Sequence, residues 1–271
     1  MAVLLVDIGN TRIKWACLHG AHLGRSQAAV HSAWTSATYN RRLFGRGAPP
    51  TSLWVTSVAG PRVNRALAAA ARRAGVAATF VTVPRSGGGV QVGYLEPWRL
   101  GSDRFVAVVG AHELFPRMPV CVVGVGTAMT IDLLGGDGRH RGGLIIPAPT
   151  LMVDTLLTRT HGIQRRAQGG RAGGSARLFA RSTRAGLEQG ARYAAAALID
   201  RAVEEAQGLI GRKPLVVLTG GQAAVVRPLL RSWCVVVPDL VLRGLAVLAR
   251  REASPGGPQE VTRLDLGRKS R

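Results

Sequence analysis

The sequence predicts an α/β protein made of two related halves. Strand-like apolar runs alternate with helix-like ones along the chain, as in sheets covered by helices. Two such runs, over 3–6 and 120–123, each lead into a Gly-Thr turn and a second strand. The two openings, Val6-Asp7-Ile8-Gly9-Asn10-Thr11 and Val123-Gly124-Val125-Gly126-Thr127, lie about 117 residues apart. This echo implies a duplicated α/β domain with a cleft between the copies. The expected division is 1–117, 118–252 and a basic tail over 253–271 without fixed structure.

The first half opens with a buried strand over 3–6, turns at Gly9-Asn10 and returns as a strand over 13–18, which makes a hairpin. A strand over 53–58 is followed by Gly60-Pro61 and an Ala-rich helix over 63–74 that Gly75 ends. A strand over 78–83, a Gly-rich loop over 84–97 and a helix over 103–114 complete this half. After the break at 116–119 come strands over 120–123 and 129–134, a turn at 135–138 and a loop over 142–149. A mixed helical stretch then leads into a helix over 187–208. The last elements are a strand over 215–218, a helix over 223–230, a strand over 235–237 and a helix over 240–250.

The chain has 271 residues, 46% of them apolar, so it can fill a core and is not intrinsically disordered. No apolar run reaches the ~18 residues of a membrane span. The start, Met1 to Asp7, lacks a basic leader and cleavage site, so no signal peptide and a cytoplasmic location are expected. Three widely spaced cysteines (Cys17, Cys121, Cys234) make neither a disulfide framework nor a metal cluster. The formal charge of +21 has two readings, a nucleic-acid surface or compositional drift. Only three of the 36 basic residues are lysine, which leaves 33 arginines, scattered as singles and pairs without interleaved aromatics. That pattern favours drift with attraction of small anions, and no nucleic-acid partner is expected.

Three Gly-rich turns carry the chemistry. In Asp7-Ile8-Gly9-Asn10-Thr11, backbone N–H groups and the Thr11 hydroxyl can donate to a phosphate. Asp7 at the strand end can hold Mg²⁺ through water, and Lys14 adds positive charge. The same residues also fit a plain hairpin turn. Gly124-Val125-Gly126-Thr127 is a second possible phosphate turn, and Thr219-Gly220-Gly221 leaves room for a base or ribose, though Gly-Gly also commonly ends a strand.

The order and spacing of the three resemble the sugar kinase, actin and heat-shock chaperone ATPase superfamily. Within it the details resemble type III pantothenate kinase. The similar segments are Asp7-Ile8-Gly9-Asn10-Thr11-Arg12-Ile13-Lys14, the run from Tyr94 through Pro97 to Leu100-Gly101-Ser102-Asp103-Arg104, and Gly126-Thr127-Ala128-Met129-Thr130-Ile131-Asp132. Gly142-Gly143-Leu144-Ile145-Ile146-Pro147, Ser182-Thr183, Thr219-Gly220-Gly221 and Pro238-Asp239-Leu240 through Leu245 follow in order, so the resemblance covers roughly 3–249.

The resemblance implies an α/β fold of two ribonuclease-H-like (actin-like ATPase) domains with a nucleotide cleft between them. It implies ATP- and Mg²⁺-dependent phosphorylation of pantothenate, the first step of coenzyme A synthesis, by a homodimer. Asp7 would organise Mg²⁺, with Ile8, Gly9, Asn10, Thr11, Arg12, Ile13, Lys14 and Thr127 around the phosphates and Gly220 and Gly221 beside the adenosine. Asp103 would be the general base, or else a helix N-cap. Gly101, Ser102, Arg104, Tyr94 and Thr183 would bind pantothenate; Tyr94 also fits simple packing and Thr183 a helix cap. Asp132 matches a family position and receives no catalytic role. Two positions depart from the family pattern. Gly124 stands where the family has an aspartate that binds a monovalent cation, which argues against a K⁺ or NH₄⁺ site. Ala148 stands where the family tends to have glycine. The alternatives are a kinase of another small hydroxyl substrate, or a transcription accessory factor that touches DNA.

Overall fold

The computed structural model describes residues 2–45, 47–168 and 178–253. In chain order, the hairpin β1 (Ala2–Ile8) and β2 (Arg12–His19) leads to the short β3 (His22–Leu23) and β4 (Gln27–Val30). Then come α1 (Ser36–Tyr39), β5 (Ser52–Ser57), α2 (Pro61–Arg73), β6 (Ala77–Phe80), the small hairpin β7 (Ser86–Gly87) and β8 (Val90–Gln91), and α3 (Ser102–Leu114). The chain continues through β9 (Val120–Val125), β10 (Ala128–Leu134), β11 (His140–Pro147), α4 (Pro149–Arg159), α5 (His161–Ala167) and α6 (Thr183–Ile210). It finishes with β12 (Leu215–Thr219), α7 (Ala223–Val226), β13 (Cys234–Val236) and α8 (Leu240–Ala253).

The elements form two compact units, each with its own sheet. The first sheet runs β3-β2-β1-β5-β6, with β4 also on β2. The second runs β11-β10-β9-β12-β13. In both, the opening strand pairs antiparallel with the next one and parallel with a later one. The expected duplication is therefore present at the level of strand order. It reaches single positions: Asp7 lies between Lys14 and Thr56, and Gly124, its counterpart in the echo, lies between Thr130 and Thr219.

Each sheet closes on its own core. In the first unit Leu4, Val6 and Ile8 of β1 and Leu53 and Val55 of β5 pack with Leu67, Ala70 and Ala71 of α2. Central parallel strands are covered on both faces, which is why β5 reads as a continuous apolar run. Pro61 starts α2, and the helix ends in a Schellman motif: Gly75 (φ +69°) donates to Arg72, and Val76 donates to Ala71. In the second unit Val123, Val125, Val216 and Leu218 pack with Ala195, Ala196, Ile199 and Val203 of α6.

The boundaries depart from expectation in instructive places. The division expected at 118–252 is not the one that packing makes, because residues 239–253, with Gly138–Arg141, belong to the first unit. α8 lies against α3, and the approach is backbone to backbone. A Cβ at Gly110 would sit 2.7 Å from the Leu240 carbonyl, and one at Gly244 would overlap the Val106 carbonyl. The tail expected over 253–271 lies, beyond Ala253, outside the described residues. The stretch read as a loop over 142–149 is mostly the edge strand β11, whose two glycines hide its period from the sequence. The loop over 84–97 contains the hairpin of β7 and β8, turned by Gly88 and Gly89 at positive φ. The helix over 223–230 divides into α7 and a 3₁₀ turn, Arg227–Leu229, where Pro228 cannot continue the ladder. No described helix is long and apolar enough to cross a membrane.

Two outcomes follow from this packing. Gly244→Ala should destabilise the protein by about 3 kcal/mol, the upper range for overpacking, although alanine is the better helix former. Thermal unfolding should then move down by roughly 6–12 °C; an unchanged midpoint would mean that α8 does not need the close approach. The second outcome concerns His112 on α3, whose ring lies against Gly89 and Gly138. Burial, then Arg251, holds its pKa below the ordinary 6.5, with Glu113 opposing. The unfolded chain thus binds this proton more readily, so the stability is present above pH 6.5 and is lost as pH falls. In His112→Gln the fall in melting temperature between pH 7.5 and 5 should be shallower than in the wild type.

Candidate active site

In the first unit the site begins with strand register. Asp7, next to last in β1, faces Lys14 across the hairpin and Thr56 across the parallel pair with β5. The buried Thr56 hydroxyl donates to Ser102 Oγ at 2.8 Å, which ties the end of β5 to the first residue of α3. Asp103 and Arg104 follow in that first turn. The N-cap is Gly101, so the alternative reading of Asp103 as an N-cap does not hold. Asp103 Oδ1 instead accepts from the Arg104 backbone N–H at 2.8 Å. A side chain at Gly101 would crowd that oxygen, with its Cβ at 2.6 Å.

The carboxylates act on one another. The Asp7 pKa is raised to about 7, first by burial and then by Asp103, with Lys14 opposing and Asp239 adding. Asp239 stands just before α8 at φ 56°, in the left-handed region that aspartate tolerates. It accepts from Ser26 Oγ at 2.6 Å and from Lys14 Nζ at 3.4 Å. The sequence reading gave Asp239 no role, since its partners lie more than 200 positions away. Crowded carboxylates with one lysine among them suit a divalent cation. Among the described residues no three acidic, His or Cys side chains form a ready metal cage. A divalent cation here would need water and phosphate oxygens besides one or two carboxylates, and Asp7 is the residue that could hold it.

Arg104 and Tyr94 meet on the same unit. Arg104 is buried, and its Nη1 donates to the Tyr94 hydroxyl at 3.0 Å, with the guanidinium carbon 5.7 Å from the ring centre. The Tyr94 ring lies 5.7 Å from that of the buried His140, which accepts from the Gly93 N–H at 3.4 Å. The packing alternative for Tyr94 is thus partly right, but what it packs against is the candidate substrate arginine. His140 went unnoticed in the sequence because a lone histidine after a Gly-rich turn carries no pattern.

In the first turn, Gly9 donates to the Arg12 carbonyl at 3.0 Å, and Asn10 and Thr11 are exposed at its tip. In the second unit, Gly126 donates to the Ala128 carbonyl at 3.0 Å, and Thr127 is likewise exposed. Gly220 (φ +97°) needs its missing side chain for the fold itself, because a Cβ there would overlap the Val125 carbonyl. Only Gly221 faces open space. Thr183 is the first residue of α6; Ser182 is the cap and accepts from Ala185 N–H at 3.3 Å. Thr183 lines an apolar cavity of about 440 Å³ with Met152, Val153, Leu156 and Leu187. Gly124 has Thr130 Oγ1 3.0 Å from where a Cβ would stand, so an acidic side chain needs that hydroxyl to shift. Asp132 is buried in β10, where it adds to the burial that pushes the Cys121 thiol up to about 12.

Comparison with known proteins gives the fold and the family. Solved structures share the fold at low identity: (R)-2-hydroxyglutaryl-CoA dehydratase component A from Acidaminococcus fermentans has a TM-score of 0.52 at 13% identity, covering 92% of this chain and 96% of that one. Porphyromonas gingivalis acetate kinase has a TM-score of 0.50 at 10% identity, covering 92% and 99%. The expected fold class is met. Closer in sequence are type III pantothenate kinases from Stenotrophomonas maltophilia, 38% identical over 91% of this chain and 96% of the relative, and Nitrosococcus oceani, 34% identical over 92% and 94%. The family model described as type III pantothenate kinase matches residues 3–205, three quarters of the chain, and with these relatives it shows that the chain belongs to the type III pantothenate kinase family.

Proposed function

We propose that this protein phosphorylates the primary hydroxyl of pantothenate with ATP, the first step of coenzyme A synthesis. The observation that carries the reading is the start of α3, where Asp103 and Arg104 lie together and Asp103 is close enough to raise the Asp7 pKa. Phosphoryl transfer depends mainly on position and charge. Each unit carries a turn whose N–H groups suit a phosphate: Asp7 to Lys14 in the first, Gly126-Thr127 in the second. Asp7 would hold Mg²⁺, which would supply neutralisation of phosphate charge. Arg104, oriented by Tyr94, meets the pantothenate carboxylate, with Gly101 and Ser102 as further contacts. Asp103 takes the hydroxyl proton as that oxygen bonds to the γ-phosphorus, and the bond to ADP breaks.

The apolar side chains Leu144, Ile145, Leu151 and Leu156, exposed in the second unit, support a homodimer. ATP as donor fits a cytoplasmic location. Gly124 supports catalysis without a bound monovalent cation at that position.

A coupled ADP-release assay tests the reading. The wild type should release ADP only with pantothenate, and a panel with acetate and sugars in its place should stay silent. Asp103→Asn should keep ATP binding and lose turnover by ~10²–10⁴-fold, the scale of a general base; wild-type rates would remove Asp103 from the chemistry. Titrating K⁺ or NH₄⁺ into Na⁺ buffer at constant ionic strength should leave the rate flat. A steep activation curve would show that another group replaces the missing carboxylate.

A further inference from the structure

The duplicated turns share a feature beyond their glycines. In the first, His31 Nε2 lies 2.8 Å from the Gly9 carbonyl oxygen. In the second, Gln222 Nε2 lies 2.6 Å from the Gly126 carbonyl oxygen. Gly9 and Gly126 are counterparts in the echo of the two halves. Neither His31 nor Gln222 belongs to the hairpin it touches. His31 follows β4, and Gln222 follows β12.

The geometry points to His31 and Gln222 as positioning residues, each of which presets the N–H groups of its own turn for phosphate. The inference rests on the ATP reading above. In a trans peptide the C=O and the following N–H point in opposite directions. Holding the Gly9 carbonyl on one side therefore turns the Asn10 N–H to the other, and holding the Gly126 carbonyl does the same for the Thr127 N–H. Glycine leaves each of these peptides free to rotate, so a donor from outside the turn is what selects one orientation. Preset donors hold phosphate better than donors that must first be ordered.

Both props are themselves held. His31 is 3% exposed. A carbonyl oxygen only accepts, so Nε2 carries the hydrogen, and in the neutral ring Nδ1 accepts from Tyr39 OH, 3.3 Å away. Tyr39 is fully buried, its pKa pushed up to about 12 by burial, and Trp34 packs edge-on against it at 5.1 Å. The chain Tyr39, His31, Gly9 thus runs from core to turn. Gln222 donates its own backbone N–H to the Val125 carbonyl at 3.0 Å, one residue before the glycine it supports. Its side-chain Oε1 is buried and has no hydrogen-bond partner among the described residues.

Calorimetric binding of ADP with Mg²⁺ to the full chain tests this without any acceptor substrate. His31→Phe and Gln222→Met remove the donor and keep the bulk. Each should weaken ADP by roughly 5- to 30-fold, the factor expected when one orienting hydrogen bond is lost, while the pantothenate KM stays within twofold. His31→Gln, which keeps an N–H, should recover much of the affinity. A wild type that binds ADP but phosphorylates no pantothenate would sink the substrate reading, yet the same loss in the variants would still support the props. ADP affinity within twofold of wild type in both donor-less variants overturns the inference. So does a His31→Gln protein as weak as His31→Phe with an equally lowered melting temperature, since that marks a purely structural residue. If His31→Phe fails to fold, Gln222→Met, in the other unit, decides alone.

Discussion

The parallel pairing of β1 with β5 is the constraint on which the rest of the first unit depends. It sets Asp7 beside Thr56. Thr56 in turn binds Ser102 and so fixes where α3 begins. Because α3 begins there, Asp103 and Arg104 fall in its first turn, where helix N–H groups favour an acidic side chain. A slip of one residue between β1 and β5 would turn Asp7 into the core face and part Thr56 from it. The site is thus a consequence of sheet register, and register is held by Leu4, Val6 and Ile8 in the core beneath.

The second constraint is closeness of α3 and α8. Gly110 and Gly244 let the two backbones meet, and this brings Asp239, at the start of α8, to Lys14 and Ser26. The residue just before the last described helix thereby supplies a carboxylate to a cluster that begins at residue 7. Lys14 stands between Asp239 and Asp7 and lowers the charge that both press on the site. A long-range contact between two helix glycines thus shapes the electrostatics of the opening strand.

How much of this was legible depends on the kind of signal. Strands and helices with clear period, such as β1, α2, α3 and α6, could be read to within a few residues, because burial on one face or both imposes that period. β11 could not, since Gly142 and Gly143 break its pattern. The turn residues from Asp7 to Lys14, Asp103 and Arg104 were legible as motifs, where several residue types recur in order. Thr56, His31, Asp239 and Gln222 were not. Each acts through a partner 22 to 225 positions away, and a single polar residue in an apolar context carries no sign of which carbonyl or carboxylate it will meet. Gly220 was noticed for another reason than the one that governs it: its bare face serves Val125.

The duplication gives one chain two glycine turns of the same build that differ in what surrounds them. Both units use the same strand order, the same hairpin and the same carbonyl to be held. They differ at the position before the turn, where the first has Asp7 and the second Gly124. In the first, the carboxylate meets Lys14, Asp103 and Asp239, so its charge state can respond to a bound cation. In the second, Thr130 stands over the bare backbone, and only hydrogen bonds remain. The backbone of the motif is the same in both units, and the residue in front of it decides whether a carboxylate stands there. That also bears on the net charge of +21. With so few acids in the chain, three of its eight aspartates gather in one cluster, where their mutual repulsion favours positive charge beside them.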